Sequence, residues 1–186
     1  MAYPLELVSQ HLVALPRSSL TALRTVLARD AGAGFATYLQ EAGYAGGRTL
    51  FEAFSEWLAA RGADSPESLP VEAFRTQMAA FFADAGWGQL QVTSVNDVAA
   101  RIDADDWAEA DPGAGLAHPA CHFSAGLFAD FLGRVAADTL AVLEVECRSA
   151  GGSCCRFVAG SPDVMQHVYE RVAAGANYAA ALDEIR

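Results

Sequence analysis

Three of the chain's four cysteines, Cys147, Cys154 and Cys155, fall within nine residues of the stretch LEVECRSAGGSCCRF, on either side of the pair Gly151-Gly152. The fourth, Cys121, stands upstream beside His118 and His122. Clustered thiols bind a soft metal, carry out redox or nucleophilic chemistry, or pack as small hydrophobes. A hairpin turning at the glycines brings Cys147 to the Cys154-Cys155 pair, and a helix packed on the same sheet brings Cys121 to them. Three thiolates on two elements suit a tetrahedral ion, zinc being the usual one for such donors. The fourth ligand is then Cys154, a nearby carboxylate, or His118, which lies three residues before Cys121. Inert core thiols are the competing reading, and a disulfide between adjacent Cys154 and Cys155 would be strained.

The elements that must hold these residues follow from apolar spacing. Leu20, Leu23, Val26 and Leu27, followed after Gly32 and Gly34 by Phe35, Tyr38 and Leu39, predict helix from Ser18 to about Tyr44 with a kink at the glycines. A second helix is expected over RTLFEAFSEWLAARG, ending at Gly62, and a third over VEAFRTQMAAFFADAG. QLQVTSVND alternates as a strand does, and VAARIDADD continues after a turn at Asn96-Asp97. Helical spacing returns over PACHFSAGLFADFLGRVAA. TLAVLEVECR and CCRFVAG form the hairpin, and Ser161-Pro162-Asp163 opens a last helix. Helices, strand pair, helix, hairpin and helix make an α+β fold with an antiparallel sheet against a helical layer. The 186 residues are read as one domain: a helical part over about 1–86, a sheet and thiol part over about 87–160, and a C-terminal helix over about 161–186.

Composition narrows the function. All 12 basic residues are arginine, which excludes lysine Schiff bases and the P-loop phosphate contact, and 23 acidic residues bring the formal charge to -11. Nucleic acid and anionic membranes are poor partners for such a surface. The N-terminal MAYPLELVSQ lacks the pattern of a secretion signal and no apolar run is long enough to span a bilayer, so a cytoplasmic location is expected.

The stretch CHFSAGLFADFLGRVAADTLAVLEVECRSAGGSCCRF resembles the signature of the 4-vinyl-reductase-type ligand-binding domain, which also serves as the sensory domain of phenol- and toluene-responsive activators. LRTVLARDAGAGFATYLQEAGYAGGRTLFEAFSEWL is similar to its helical part, so the resemblance runs from about Leu20 to Gly160. It implies the α+β fold shared with vesicle-transport complex subunits, and a structural zinc held by Cys121, Glu144, Cys147 and Cys155. One local feature opposes Glu144: in a regular strand Glu144 and Cys147 point to opposite faces. Both reach one ion only across a bulge or strand end near Glu146; otherwise Glu146 or a water takes the place.

The resemblance further implies an aromatic-ligand pocket beside the zinc, with Phe131, Val142, Phe157 and Trp107 as wall positions. Phe74 and Met78 on the third helix are candidates for the opposite wall. Every one of these also reads as plain core. The phenol sensors use a histidine on the helix before the sheet, whereas FRTQMAAFFADAG has only Gln77 as a polar neighbour, which favours a more apolar ligand such as a hydrocarbon, a lipid-like molecule or a tetrapyrrole precursor. Three functions compete. The first is a homodimeric small-molecule binding or sensory module that passes its output to a protein partner, since 186 residues leave no room for the ATPase and DNA-binding segments of those activators. The second is an enzyme or accessory protein of bacteriochlorophyll or tetrapyrrole synthesis, with His118 and His122 as proton donors but no dinucleotide fingerprint. The third is a protein-interaction adaptor. The first is expected, without a catalytic residue.

Overall fold

Residues 11–185 are described by the computed structural model of the chain, and among them six α-helices and four strands form. Helix α1 (Arg17–Ala31) follows Pro16 and stops at Gly32, whose φ of 54° L-residues disfavour. One 3-10 turn over Gly32–Gly34 leads into α2 (Phe35–Ala59). The second break expected around Gly46-Gly47 does not occur, because those glycines serve a contact. A Cβ on Gly47 would lie 2.6 Å from Cβ of Asp130, and one on Gly43 would collide with the Phe123 carbonyl. Both partners belong to α4 (His122–Ala136) or its first turn, and Gly126 of α4 returns the arrangement, its absent Cβ falling 2.8 Å from the Gln40 carbonyl carbon. Three glycines thus let the two backbones touch.

Helix α3 (Val71–Asp84) precedes the hairpin of β1 (Gln91–Val95) and β2 (Ala99–Ala104), which turns at Asn96 with φ 57°. After α4 come β3 (Ala141–Glu146) and β4 (Cys155–Gly160). The sheet order is β1-β2-β4-β3, antiparallel throughout. Alternation divides its faces. Ile102, Ala104, Val142, Cys155, Phe157 and Ala159 face the core shared with α2, α3 and α4, while Ala99, Leu143, Val145 and Val158 face α5 (Pro162–Ala173) and α6 (Tyr178–Asp183). Ser161 caps α5 by accepting from the Val164 amide with Pro162 in the first turn, as the sequence predicts. The short α6, unmarked in the alanine-rich tail, starts where Asn177 accepts from the Ala179 amide and closes the outer face with Ala181 and Leu182. No helix among the described residues is long and apolar enough to cross a membrane.

Candidate metal centre and apolar cavity

Cys121 is the N-cap residue of α4, Glu144 lies in β3, Cys147 directly follows that strand, and Cys155 opens β4. The pairing of β3 with β4 slips by one residue: Glu144 opposes Phe157 and Glu146 opposes Arg156, which leaves Val145 as a bulge. The extra residue inverts the alternation, so Cys147 returns to the face of Glu144. Glu146 goes to the other face, where its carboxylate accepts from Arg156 and from the Ser153 amide, each at 2.9 Å. The parity conflict in the sequence is resolved by this bulge.

Sγ of Cys121 lies 3.7 Å from that of Cys147 and 3.8 Å from that of Cys155. One ligand atom from each of Cys121, Glu144, Cys147 and Cys155 fits within 4.8 Å of every other, so the four lie close enough to hold a metal ion. A tetrahedron with metal–sulfur bonds of ~2.3 Å has edges of about 3.8 Å, which is the sulfur spacing found. Oε2 of Glu144 accepts from the Cys121 amide at 2.7 Å, whereas its Oε1 is buried without a hydrogen-bond partner. Such an orphaned oxygen is costly, and a cation among the thiols would satisfy it. Backbone hydrogen bonds from Ala120 and Arg148 reach the Cys147 and Cys155 sulfurs, the outer support that metal-bound thiolates use.

Charge points the same way. Burial, followed by the Cys147 charge, pushes the Glu144 carboxyl up to about 8. The Cys121 thiol is raised, first by its hydrogen bond to Cys147 and then by that to Cys155; Cys147, which accepts from both neighbouring thiols, is driven far down. Four acids in an apolar setting cannot all ionise without a cation, and a divalent ion displaces their protons together. The sequence's other candidates for the fourth ligand lie outside the group. His118 is exposed in the loop before α4, and the Cys154 amide faces Glu146 on the far side of the sheet.

Sequence reasoning missed a buried polar network beside the centre. The Trp107 indole donates to Ser124 Oγ at 2.7 Å, and that hydroxyl donates to Glu109 at 2.5 Å. The Glu109 carboxylate also accepts from the Phe123 and Ser124 amides at 3.1 and 2.8 Å, capping α4 where negative charge is favoured. Arg24, buried on α1, donates to the Glu109 carbonyl and to Ser149 Oγ, tying α1 to the loop after Cys147. Burial, opposed by the Ser124 hydrogen bonds, raises Glu109 to about 7. A carboxyl raised in the folded state costs no stability below its ordinary value near 4.5, and its full cost is reached as pH climbs through about 7. Glu109→Gln is therefore expected to gain about 1–3 kcal/mol on the wild type between pH 5 and pH 7.5, read from urea unfolding at both. A stability difference that does not change with pH would contradict this.

Of the six residues nominated for a ligand wall, Met78, Phe131 and Phe157 are fully buried, Trp107 and Val142 nearly so, and Phe74 partly. All six belong to one core. Within it Trp107 stacks on Phe128 at 5.3 Å and on Trp87 at 5.4 Å and meets the Phe157 edge at 6.1 Å. Next to this core a cavity of about 340 Å³ opens between α1, α2, α4 and the segment after α3, lined by Leu12, Leu20, Leu50, Trp87, Phe123 and Leu127 among others. Trp87 lies against Phe123 at 6.1 Å with the rings 10° from parallel, and stacks onward to Trp107. One indole ring separates the cavity from the aromatic core.

The fold has solved counterparts. The chain is similar to the phenol-responsive sensory domain of the transcription activator PoxR, whose structure contains phenol, with TM-score 0.65 and 16% identity over 92% of this chain and 83% of that one. It is similar to a vinyl-4-reductase family protein from Methanocaldococcus jannaschii, with TM-score 0.53 and 19% identity over 79% and 82% of the two chains. The trafficking protein particle complex subunit 3 of Naegleria fowleri, covalently bound to palmitic acid, aligns with TM-score 0.60 and 18% identity over 77% of this chain and 91% of that one. These likenesses establish the α+β fold. No curated protein matches the chain. The segment from 106 to 161, which carries Trp107 and all four metal-ligand candidates, matches the 4-vinyl-reductase (V-4-R) domain family and is a domain of that family.

Proposed function

We propose that the chain is a sensory module that binds an apolar or aromatic small molecule and that its Cys₃Glu group holds a structural zinc. The observation that carries the binding role is the apolar cavity backed by Trp87 and, one ring further, by Trp107 of the 4-vinyl-reductase segment. The cavity adjoins that segment, and the fold is shared with a phenol-responsive sensory domain. Three thiolates favour zinc over harder ions, and a zinc with four protein ligands leaves no position for an attacking water, which favours binding over hydrolysis. The zinc joins the start of α4 to the β3–β4 hairpin. Trp107, Phe131, Val142, Phe157, Phe74 and Met78 form the inner wall behind Trp87. The module works as a homodimer, with Leu23 and Val26 of α1, 46% and 43% exposed, in its interface, and it passes its state to a protein partner.

Native mass spectrometry of the purified protein is the test, since it reads zinc, dimer and copurified ligand together, and titration with toluene and decane supplies the binding arm. Either probe is expected to shift the tryptophan emission, because Trp87 forms the cavity wall. Gly46→Leu should abolish the response: a Cβ there meets only Leu127 Cδ1, at 3.6 Å, so the new side chain enters the cavity without moving α2. A protein with no adduct and no emission response to either probe is not a sensor of apolar molecules.

A further inference from the structure

The cavity differs from the rest of the chain in its charge. The protein carries 23 acidic residues and a formal charge of -11, yet no aspartate or glutamate is among the described residues lining this space. The lining includes one guanidinium, Arg17, and one imidazole, His11; everything else is apolar or neutral. Arg17 is the first residue of α1, and its side chain is held in place by the carbonyl oxygens of Asp106 at 3.0 Å and Gly86 at 3.3 Å. Carbonyls orient a guanidinium without cancelling its charge. The nearby Asp106 carboxylate is occupied by the Gln89 amide at 2.7 Å. A fixed cation beside an acid-free apolar chamber is the arrangement that recognises an apolar molecule with a single negative end.

We infer that the cavity takes an apolar monocarboxylate, with the carboxylate on Arg17 and the hydrocarbon or aryl part against Leu50, Trp87, Phe123 and Leu127. The inference rests on the binding role proposed above and adds the ligand's headgroup. The described lining contains no cysteine, so the acid is held by charge and burial with no covalent bond. The volume of about 340 Å³ lies at the lower end of ordinary ligand pockets, which suits a medium-chain fatty acid or an arylalkanoic acid.

Isothermal titration of the full chain with octanoate, 4-phenylbutyrate and octanol tests it. Octanoate is expected to bind at least about tenfold more tightly than octanol, and affinity should rise about fourfold per methylene from hexanoate to octanoate. Arg17 is exposed at the start of its helix, so Arg17→Gln should fold normally, lose that tenfold preference, and keep its octanol affinity within about twofold. Tighter binding of 4-phenylbutyrate than of octanoate would assign the aromatic acids, and the reverse order the aliphatic ones. Octanol binding as tightly as octanoate, or Arg17→Gln weakening both equally, would overturn the headgroup assignment while leaving the apolar binding role intact. If acid and alcohol both fail to bind, both readings fall.

Discussion

Cys147→Ser is expected to strip the metal from the protein and lower its melting temperature by about 10 °C. The sulfur of Cys147 accepts from both neighbouring thiols and receives a backbone hydrogen bond, so its loss opens the ligand shell and leaves Glu144 buried with an oxygen unsatisfied. A structural zinc contributes its binding free energy to folding, and uncompensated buried acids add to the penalty, giving about 4 kcal/mol in all. At ~2–4 °C per kcal/mol for a domain of this size, that amounts to the stated shift. The effect belongs to the cluster and not to cysteine as such. Cys154→Ser removes an equally buried thiol whose amide faces Glu146 across the sheet, and should keep the metal and cost no more than about 1–2 kcal/mol. Equal melting temperatures for the two variants would argue against a structural metal.

Gly126→Ala is the second large effect. In an isolated helix the change is favourable by about 1 kcal/mol, but here the new Cβ would be driven into the Gln40 carbonyl of α2, with the carbonyl carbon 2.8 Å away. Backbone cannot give way as a flexible side chain does, so α2 and α4 must separate along the crossing that Gly43 and Gly47 also build. A loss of about 3 kcal/mol or more is expected in denaturant unfolding. The separation also shifts the N-terminus of α4, where Cys121 sits, so metal affinity should fall with stability. A neutral or stabilising Gly126→Ala would mean that the two helices do not touch at this point.

These two sites show what the sequence could and could not disclose. The parity conflict between Glu144 and Cys147 was legible because strand alternation is strict, and it led directly to the bulge at Val145. The order of helices and strands was legible from apolar spacing and from the Ser161-Pro162-Asp163 start signal. Gly46 and Gly47 misled, since a glycine that breaks a helix and one that admits a neighbouring backbone look alike along the chain. Glu109 was invisible for a different reason. Its task, capping α4 from the loop after Trp107, is long-range, and no local pattern separates it from the solvated acids around it. The apolar wall shows the same limit, for Phe131 or Met78 has one signature whether it faces a ligand or another ring.

The metal centre ties the 4-vinyl-reductase segment together, and X-ray absorption at the zinc edge, on protein purified reduced and never exposed to chelator, examines it most directly. The expected result is one zinc per chain with three sulfurs at about 2.3 Å and one oxygen at about 2.0 Å, the oxygen's share of the shell disappearing or changing in Glu144→Ala. Absence of stoichiometric metal, or a shell of four sulfurs that Glu144→Ala leaves unchanged, would contradict it.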